Sequence, residues 1–206
     1  MFLKKNNFPA TILAAIAIIA LILATYLLWT LLFVFNPVFY SHLQQSTGQE
    51  SSPVNKQLIA YFLSPSFEPP AVFFLSFEER NHLLDVKKVI YSAELFLSIL
   101  LFFLFFIRSQ LSSKTIHTAG TALVLLPLLF LLSPFNWVFV HFHYLFFPQG
   151  NWQLDPATTT LVNIYPETFF QHFLQTIVLF TTITGAAFIF YSRNILKTRD
   201  LNTTNI

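Results

Sequence analysis

Four stretches of this chain, about residues 9–35, 89–107, 116–135 and 169–191, are apolar and nearly free of charge. Each is close to the ~20 helical residues that cross a hydrocarbon core. That feature constrains the fold more than any other. Inside lipid a backbone N–H or C=O finds no water, and a helix satisfies both within its own segment. Composition agrees: 10% of the 206 residues are charged and Phe alone occurs 27 times, more apolar surface than a soluble domain of this size could hide. The expected architecture is an all-α membrane protein, a four-transmembrane-helix bundle forming a single domain over residues 1–206. The connections at 36–88 and 136–168 would form a small extracytoplasmic cap of loops and short elements.

The charges orient the bundle. Lys4 and Lys5 precede the first run, Arg108 and Lys114 lie in the short link between the second and third, and Arg193, Lys197 and Arg199 come after the fourth. Lys and Arg accumulate on the cytoplasmic side, and an even number of crossings puts these three regions on one side, so both termini are cytoplasmic. The outer connections carry most of the acids: Glu50, Glu68, Glu78, Glu79, Asp85, Asp155 and Glu167. The first run, Phe8 to Phe35, is too long for a signal-peptide core and has no small-residue cleavage site before Asn36-Pro37, so it reads as an uncleaved anchor. The chain has no Cys, which excludes disulfides, thiolate nucleophiles and Cys-ligated metals.

Thr118 to Phe147 is too long for one upright crossing at about 1.5 Å per residue. Pro134 removes a helix hydrogen bond and marks the break, after Ser133. The segment beyond the break, with Trp137, Phe139, Phe142, Tyr144, Phe146 and Phe147, suits the outer membrane interface, where aromatic rings prefer to sit. His143 would then lie at the lipid–water boundary. The pieces SPSFEPP, FFPQGNW, LDPATTT and YPETFF suggest a cap of turns, with room for short strands such as Ala71–Phe77. The C-terminal LNTTNI reads as a frayed tail.

Two clusters could carry chemistry. If Glu79 to Ile90 is helical, Glu79, His82 and Asp85 are spaced i, i+3, i+6 and share a face. A carboxylate beside an imidazole fixes its tautomer and raises its basicity, as a general base requires; three polar residues above a membrane could also share a face merely to meet water. His143 is the second candidate, set against an ordinary interfacial histidine. His141, two residues away, points elsewhere and reads as structural, and His42 and His172 receive no role. Gly150-Asn151-Trp152 with Asp155-Pro156 looks like a turn packed by an indole, Gly150 supplying positive φ. Tyr165-Pro166-Glu167 reads as a helix start with an acid in its first turn. Glu94, inside the second crossing, must face the bundle interior or water. No GxSxG elbow or glycine-rich phosphate loop is present, so a serine acyl-enzyme and nucleotide chemistry find no support. No HExxH is present either, and although spacing leaves open a metal held by His82, His143, Glu79 and Asp85 from separate segments, the reading adopted is no metal and no cofactor.

These residues resemble the bacterial lipoprotein intramolecular transacylase (Lit) family of four-span membrane proteins. Its E-x-x-H-L-x-D-V-K pattern is matched by Glu79, His82, Leu83, Asp85, Val86 and Lys87. Its F-H-x-x-F-F-x-x-G-N-W…D-P…P-E-x-F-F pattern is matched from Phe142-His143 through Gly150-Asn151-Trp152, Asp155-Pro156 and Pro166-Glu167 to Phe169-Phe170. Two positions depart from it: Asn136 and Thr159 stand at or near places where family members often carry an acid.

The resemblance implies an acyltransferase without cofactor in the bacterial cytoplasmic membrane. Its partners would be membrane phospholipids and the lipid-modified N-terminal cysteine of lipoproteins, with no nucleic acid. An acyl chain would move from the sn-2 ester of the diacylglyceryl cysteine to the free α-amino group, giving the lyso-form. Nucleophile and acyl donor share one molecule, so the protein supplies orientation and proton transfer without an acyl-enzyme. His82, oriented by Glu79 or Asp85, would accept the amine proton, and His143 would assist the oxyanion or the leaving oxygen, with the roles exchangeable. Glu79, Asp85, Gly150, Asn151, Trp152, Asp155 and Glu167 would support them. Two other readings stand beside this one: a membrane hydrolase acting on lipid esters, and a lipid- or lipoprotein-binding protein without activity.

Overall fold

The structure, a computed structural model, describes residues 10–48, 54–71 and 74–204, and among these it is helical with no strand. In chain order the helices are α1 (Ala10–Val34), α2 (Pro37–Ser46), α3 (Val54–Leu63), α4 (Phe77–Ile107), α5 (Ser113–Leu132), α6 (Phe135–Phe146), α7 (Thr160–Ile164) and α8 (Glu167–Thr204). Among the described residues three stretches are long and apolar enough to cross a membrane: Ala10–Val34, Phe77–Gln110 and Glu167–Asn194. Lys4, Lys5 and Glu50 lie outside the described residues.

Helix α1 packs against α4, α5 and α8, and α5 lies along α8. Its small residues explain that central place, since Ala17, Ala20 and Ala24 are buried along one face and let neighbouring backbones come close. Trp29 adds a polar tie, its indole N–H donating to Thr184 of α8 at 3.0 Å. At the α5–α8 crossing Gly120 and Gly185 face each other, and a Cβ on either would sit 2.7 Å from the other's carbonyl oxygen. A backbone oxygen cannot rotate away as a side chain can. Gly185→Val is therefore expected to lower the thermal unfolding temperature in detergent, by overpacking worth about 1–3 kcal/mol; an unchanged transition would refute this close approach.

The outside of the bundle is apolar. Leu95, Ile99, Phe102 and Phe106 of α4, Leu125, Leu128 and Leu129 of α5, and Leu179, Ile183 and Phe190 of α8 are all exposed. Contiguous exposed apolar surface of this kind is excluded from water and fits lipid.

The connection between α1 and the second crossing is helical where turns and strands were expected. Local signals account for this. Asn36 caps α2, accepting from the backbone N–H groups of Val38 and Phe39, and Pro37 occupies the first turn, where its missing N–H costs nothing. Ser76 and Glu79 form a reciprocal capping box that starts α4. The Ala71–Phe77 strand is accordingly not formed over its described part: Phe74 and Leu75 turn into the cap and Phe77 opens the helix, while residues 72 and 73 lie outside the described residues. A buried polar chain locks α2, α3 and the start of α8 together. Tyr165 donates to Asn55 Oδ1 at 2.6 Å, and Asn55 donates to Gln44 Oε1 at 2.8 Å.

The break at Pro134 holds, with α5 ending at Leu132 and α6 starting at Phe135. Helix α6 leaves Trp137, Phe142, Tyr144 and Leu145 exposed. The expected frayed tail differs: α8 runs on through Thr204, since neither Gly nor Pro interrupts the sequence after Gly185.

Candidate functional site

Two sequence signals place the site. The capping box fixes where α4 begins, so His82 and Asp85 fall one turn apart near its start. At the far end of α6 the Phe147 N–H bonds the His143 carbonyl at 2.7 Å. Gly150 then takes φ +79°, a conformation that favours glycine, and the chain turns Gln149, Asn151 and Trp152 back toward α4.

The two candidate histidines meet there. Their ring centroids lie 6.1 Å apart with planes inclined at 29°, and each residue is only 9% exposed. Aromatic rings wall them in: Phe147 stands edge-on to His82 at 4.9 Å, and Phe139 and Trp152 lie 4.2 and 4.8 Å from His143.

Surroundings fix the tautomer of both neutral rings, for His143 through a hydrogen bond. His143 Nδ1 lies 2.7 Å from the Phe139 carbonyl. A carbonyl only accepts, so Nδ1 carries the proton and Nε2 is bare. Asp85 orders the other ring through an amide: Asn151 donates Nδ2–H to Asp85 Oδ2 at 2.7 Å, which leaves its Oδ1 to accept. The Asn151 side chain lies against His82, whose Nδ1 is buried without a partner. An unpartnered buried N–H costs more than a bare lone pair, so the neutral ring carries its proton on Nε2 and leaves Nδ1 bare. Gln149 braces the same carboxylate at 2.8 Å, and Lys88 pairs with its second oxygen at 2.8 Å. Burial pushes His143 below the usual imidazole pKa, while the Phe139 carbonyl works in the opposite direction. The pair thus presents two neutral imidazoles, each with one free lone pair, largely buried among aromatic rings. Such a pair can take up a proton and return it.

Not every expected residue joins this cluster. Glu79, buried with 1% exposure, does not bond His82. Its oxygens accept from Ser76 N at 2.7 Å and Leu161 N at 2.5 Å, tying the start of α4 to α7. Asp155 caps the turn leading to α7, accepting from Ala157 N at 2.9 Å, and Thr159 bonds the Asp155 carbonyl at 2.6 Å. Glu167 is exposed in the first turn of α8. His141 bonds the Trp137 carbonyl and stacks on that indole at 4.1 Å, away from the pair. His172 bonds Ser46 at 3.1 Å, His42 is exposed, and Glu94 and Asn136 are respectively half-buried and exposed. Among the described residues no group of three or more His, Asp or Glu is placed to hold a metal ion.

Several contributors escaped the sequence reading. Gln149 sits unmarked between Pro148 and Gly150, and Phe139 and Phe147 are lost among the other aromatics. Lys87 was visible only as a motif letter. Its ammonium is fully buried and donates to Tyr61 O at 2.6 Å, Ser66 O at 2.7 Å and Ser64 Oγ at 2.8 Å.

Comparison with known proteins gives a consistent answer. The family model described as lipoprotein intramolecular transacylase Lit matches residues 7–170. The fold is similar to a solved structure of the membrane integral lipoprotein intramolecular transacylase Lit from Bacillus cereus, at 18% identity and TM-score 0.78, covering 93% of this chain and 98% of that one. Structures of two histidine variants of the same protein are also similar. One has TM-score 0.74 at 17% identity, covering 94% of each chain; the other has 0.67 at 18%, covering 93% of this chain and 96% of that one. Comparison with curated protein sequences found no match.

Proposed function

The chain belongs to the lipoprotein intramolecular transacylase family, and on that premise we propose how it moves an acyl chain from the sn-2 ester of the S-diacylglyceryl cysteine to that cysteine's α-amino group. The observation that carries the proposal is the stacked pair His82–His143, each ring with one bare nitrogen.

The proton balance asks for two bases. A free α-amino group has a pKa near 8, so at neutral pH the substrate arrives as an ammonium. It must lose one proton to become a nucleophile and a second as the amide forms. In this mechanism His143 Nε2 takes the first, and the amine attacks the ester carbonyl. His82 Nδ1 takes the second. The intermediate collapses by breaking the glyceryl C–O bond, and the His143 imidazolium protonates the departing oxygen. One proton returns to solvent from His82. Burial that weakens His143 as a base makes its imidazolium a stronger acid toward the alkoxide. The aromatic walls keep water away, so the tethered amine meets no competing nucleophile.

The reactive form thus keeps one proton on the amine or on His143 while both other sites are bare. Activity should lose its base as pH falls through the histidine pKa values, and lose its acid as pH rises through about 8. Because His143 is shifted down, the acid edge is expected below the ordinary imidazole value of about 6.5. A kcat/KM profile that climbs steadily to pH 8 and then stays flat would remove His143 as the acid.

We place the site on the extracytoplasmic face of a single-domain, multi-pass protein of the bacterial cytoplasmic membrane, with α1, α4, α5 and α8 as four spans and both termini cytoplasmic. Support comes from the exposed apolar face of α5 alongside α8. The basic residues Arg108, Lys114 and Arg193 sit at the bundle end opposite the α4 start that bears the site. Phospholipid surrounds the apolar faces, and the lipid-modified cysteine is the partner.

Mass spectrometry of a lipoprotein's N-terminal lipopeptide, with and without this protein co-expressed, tests the reading. A migrated acyl group on the amine is expected. Free fatty acid with an unacylated amine would make the protein a hydrolase, and an unchanged lipopeptide would make it a binding protein.

A further inference from the structure

Among the described residues two buried nitrogens lack a hydrogen-bond partner, His82 Nδ1 and Trp152 Nε1. Buried polar groups are almost always satisfied, because an orphan forfeits ~1–3 kcal/mol of hydration. An exception therefore calls for a reason. The orphan on His82 has one, as the base nitrogen. The orphan on Trp152 does not; the Tyr26 and Tyr61 hydroxyls are also buried without a partner, but these two nitrogens share one small cluster: the indole lies 4.8 Å from His143, whose ring lies 6.1 Å from His82. An indole N–H is a donor that never accepts and does not titrate. It suits an oxygen that is neutral before attack and anionic during it.

The position of the indole is set independently of that N–H. Gly150 turns the chain at φ +79°, Asn151 is anchored on Asp85, and the Trp152 ring packs edge-on against Tyr144 at 5.3 Å as well as against His143. Backbone and ring are held while the N–H is left over, the arrangement of a preorganised donor. The His143 imidazolium present at attack spends its Nδ1–H on the Phe139 carbonyl and keeps its Nε2 proton for the departing glyceryl oxygen, so the oxyanion needs a donor of its own.

We propose that the Trp152 indole N–H is the hydrogen-bond donor to the oxyanion of the acyl-transfer intermediate. When the amine nitrogen bonds the ester carbon, the carbonyl π pair moves onto its oxygen and Trp152 Nε1–H holds that charge. When the pair returns, the C–O bond to the glyceryl oxygen breaks, that oxygen takes the proton from the His143 imidazolium, and the indole is released unchanged. Trp152 is in this sense a catalytic residue, one that touches the reacting atoms without exchanging a proton.

The inference rests on the acyl-transfer reading, and the test separates the two. Trp152 is replaced by 3-benzothienylalanine, in which sulfur stands where the N–H was and the bicyclic shape is kept, and in parallel by Phe. The benzothienyl protein is expected to unfold at the wild-type temperature, to bind substrate with KM within about twofold, and to show kcat lower by about 10²-fold, the usual effect of losing one oxyanion donor. Trp152→Phe should show the same kcat loss, with or without a change in KM from the smaller ring. Wild-type kcat in the benzothienyl protein, or a loss carried by KM alone, overturns the donor role while leaving the histidine mechanism intact. Failure of the acyl-transfer reading would instead appear in the wild type, as a lipopeptide without N-acylation.

Discussion

Alanine at His82 or at His143 is expected to lower the rate of N-acylation by about 10²–10⁴-fold, the span attributed to a positioned proton-transfer group. Each variant should still insert, purify and unfold near the wild-type temperature. The His82 Nδ1 has no partner to lose; His143 surrenders a bond to a carbonyl of its own helix. The two rings handle successive protons of one nitrogen, so their losses should not add. The double alanine variant is expected to be about as slow as the slower single one. Lipopeptide mass spectrometry over a time course provides the measurement. Near-wild-type rates in either single variant would remove that residue from the mechanism, and multiplicative losses would mean that the rings act independently.

The second large effect concerns stability. Lys87→Met should destabilise the cap by on the order of 3 kcal/mol, because Tyr61 O and Ser66 O lose their donor at ~1–3 kcal/mol each. Lys87 closes the C-terminal end of α3 with three hydrogen bonds to neutral oxygens. Its ammonium lies 4.3 Å from the Tyr61 ring centroid, with the Phe67 and Tyr91 rings at 5.6 and 5.7 Å. A cation is favoured there both by the α3 dipole and by the ring faces. Lys87→Arg should not restore the wild-type transition, since a planar guanidinium cannot converge on acceptors arranged around a point charge. The readout is thermal unfolding in detergent. A Lys87→Met protein with the wild-type transition would show that the ammonium is not what holds α3 to α4.

Lys87 and Glu79 also illustrate how a motif can mix two kinds of constraint. In the stretch from Glu79 to Lys87, His82 and Asp85 face the neighbouring imidazole and the Gly150 turn. Glu79 and Lys87 are turned into the cap, one binding backbone N–H groups at Ser76 and Leu161, the other binding carbonyls at Tyr61 and Ser66. Helical spacing alone predicts Glu79 on the histidine's side. A carboxylate, however, goes to the strongest unsatisfied donors within reach, and here those are the amides at two helix starts. Asp85, one turn beyond His82, had no helix end to serve and was left for Asn151.

The sequence by itself determined the solvent and the long apolar helices, while α2, α3 and α7 read there only as turns and loops. Apolar runs of spanning length allow little else in lipid, Pro134 interrupts the chain where a second helix then begins, and Gly150 marks the turn that only a positive φ can make. It also singled out His82 and His143, because an imidazole beside an apolar run needs a reason to be there. Tertiary structure decided everything that depends on residues distant in the chain: that the two rings stack, that Asp85 rather than Glu79 stands behind His82, that Asn151 carries the link, and that Gly120 meets Gly185. Periodicity reports which face of a helix a residue occupies. Hydrogen-bond partners are chosen by competition among groups brought together by the fold, and that competition has no signature in spacing alone.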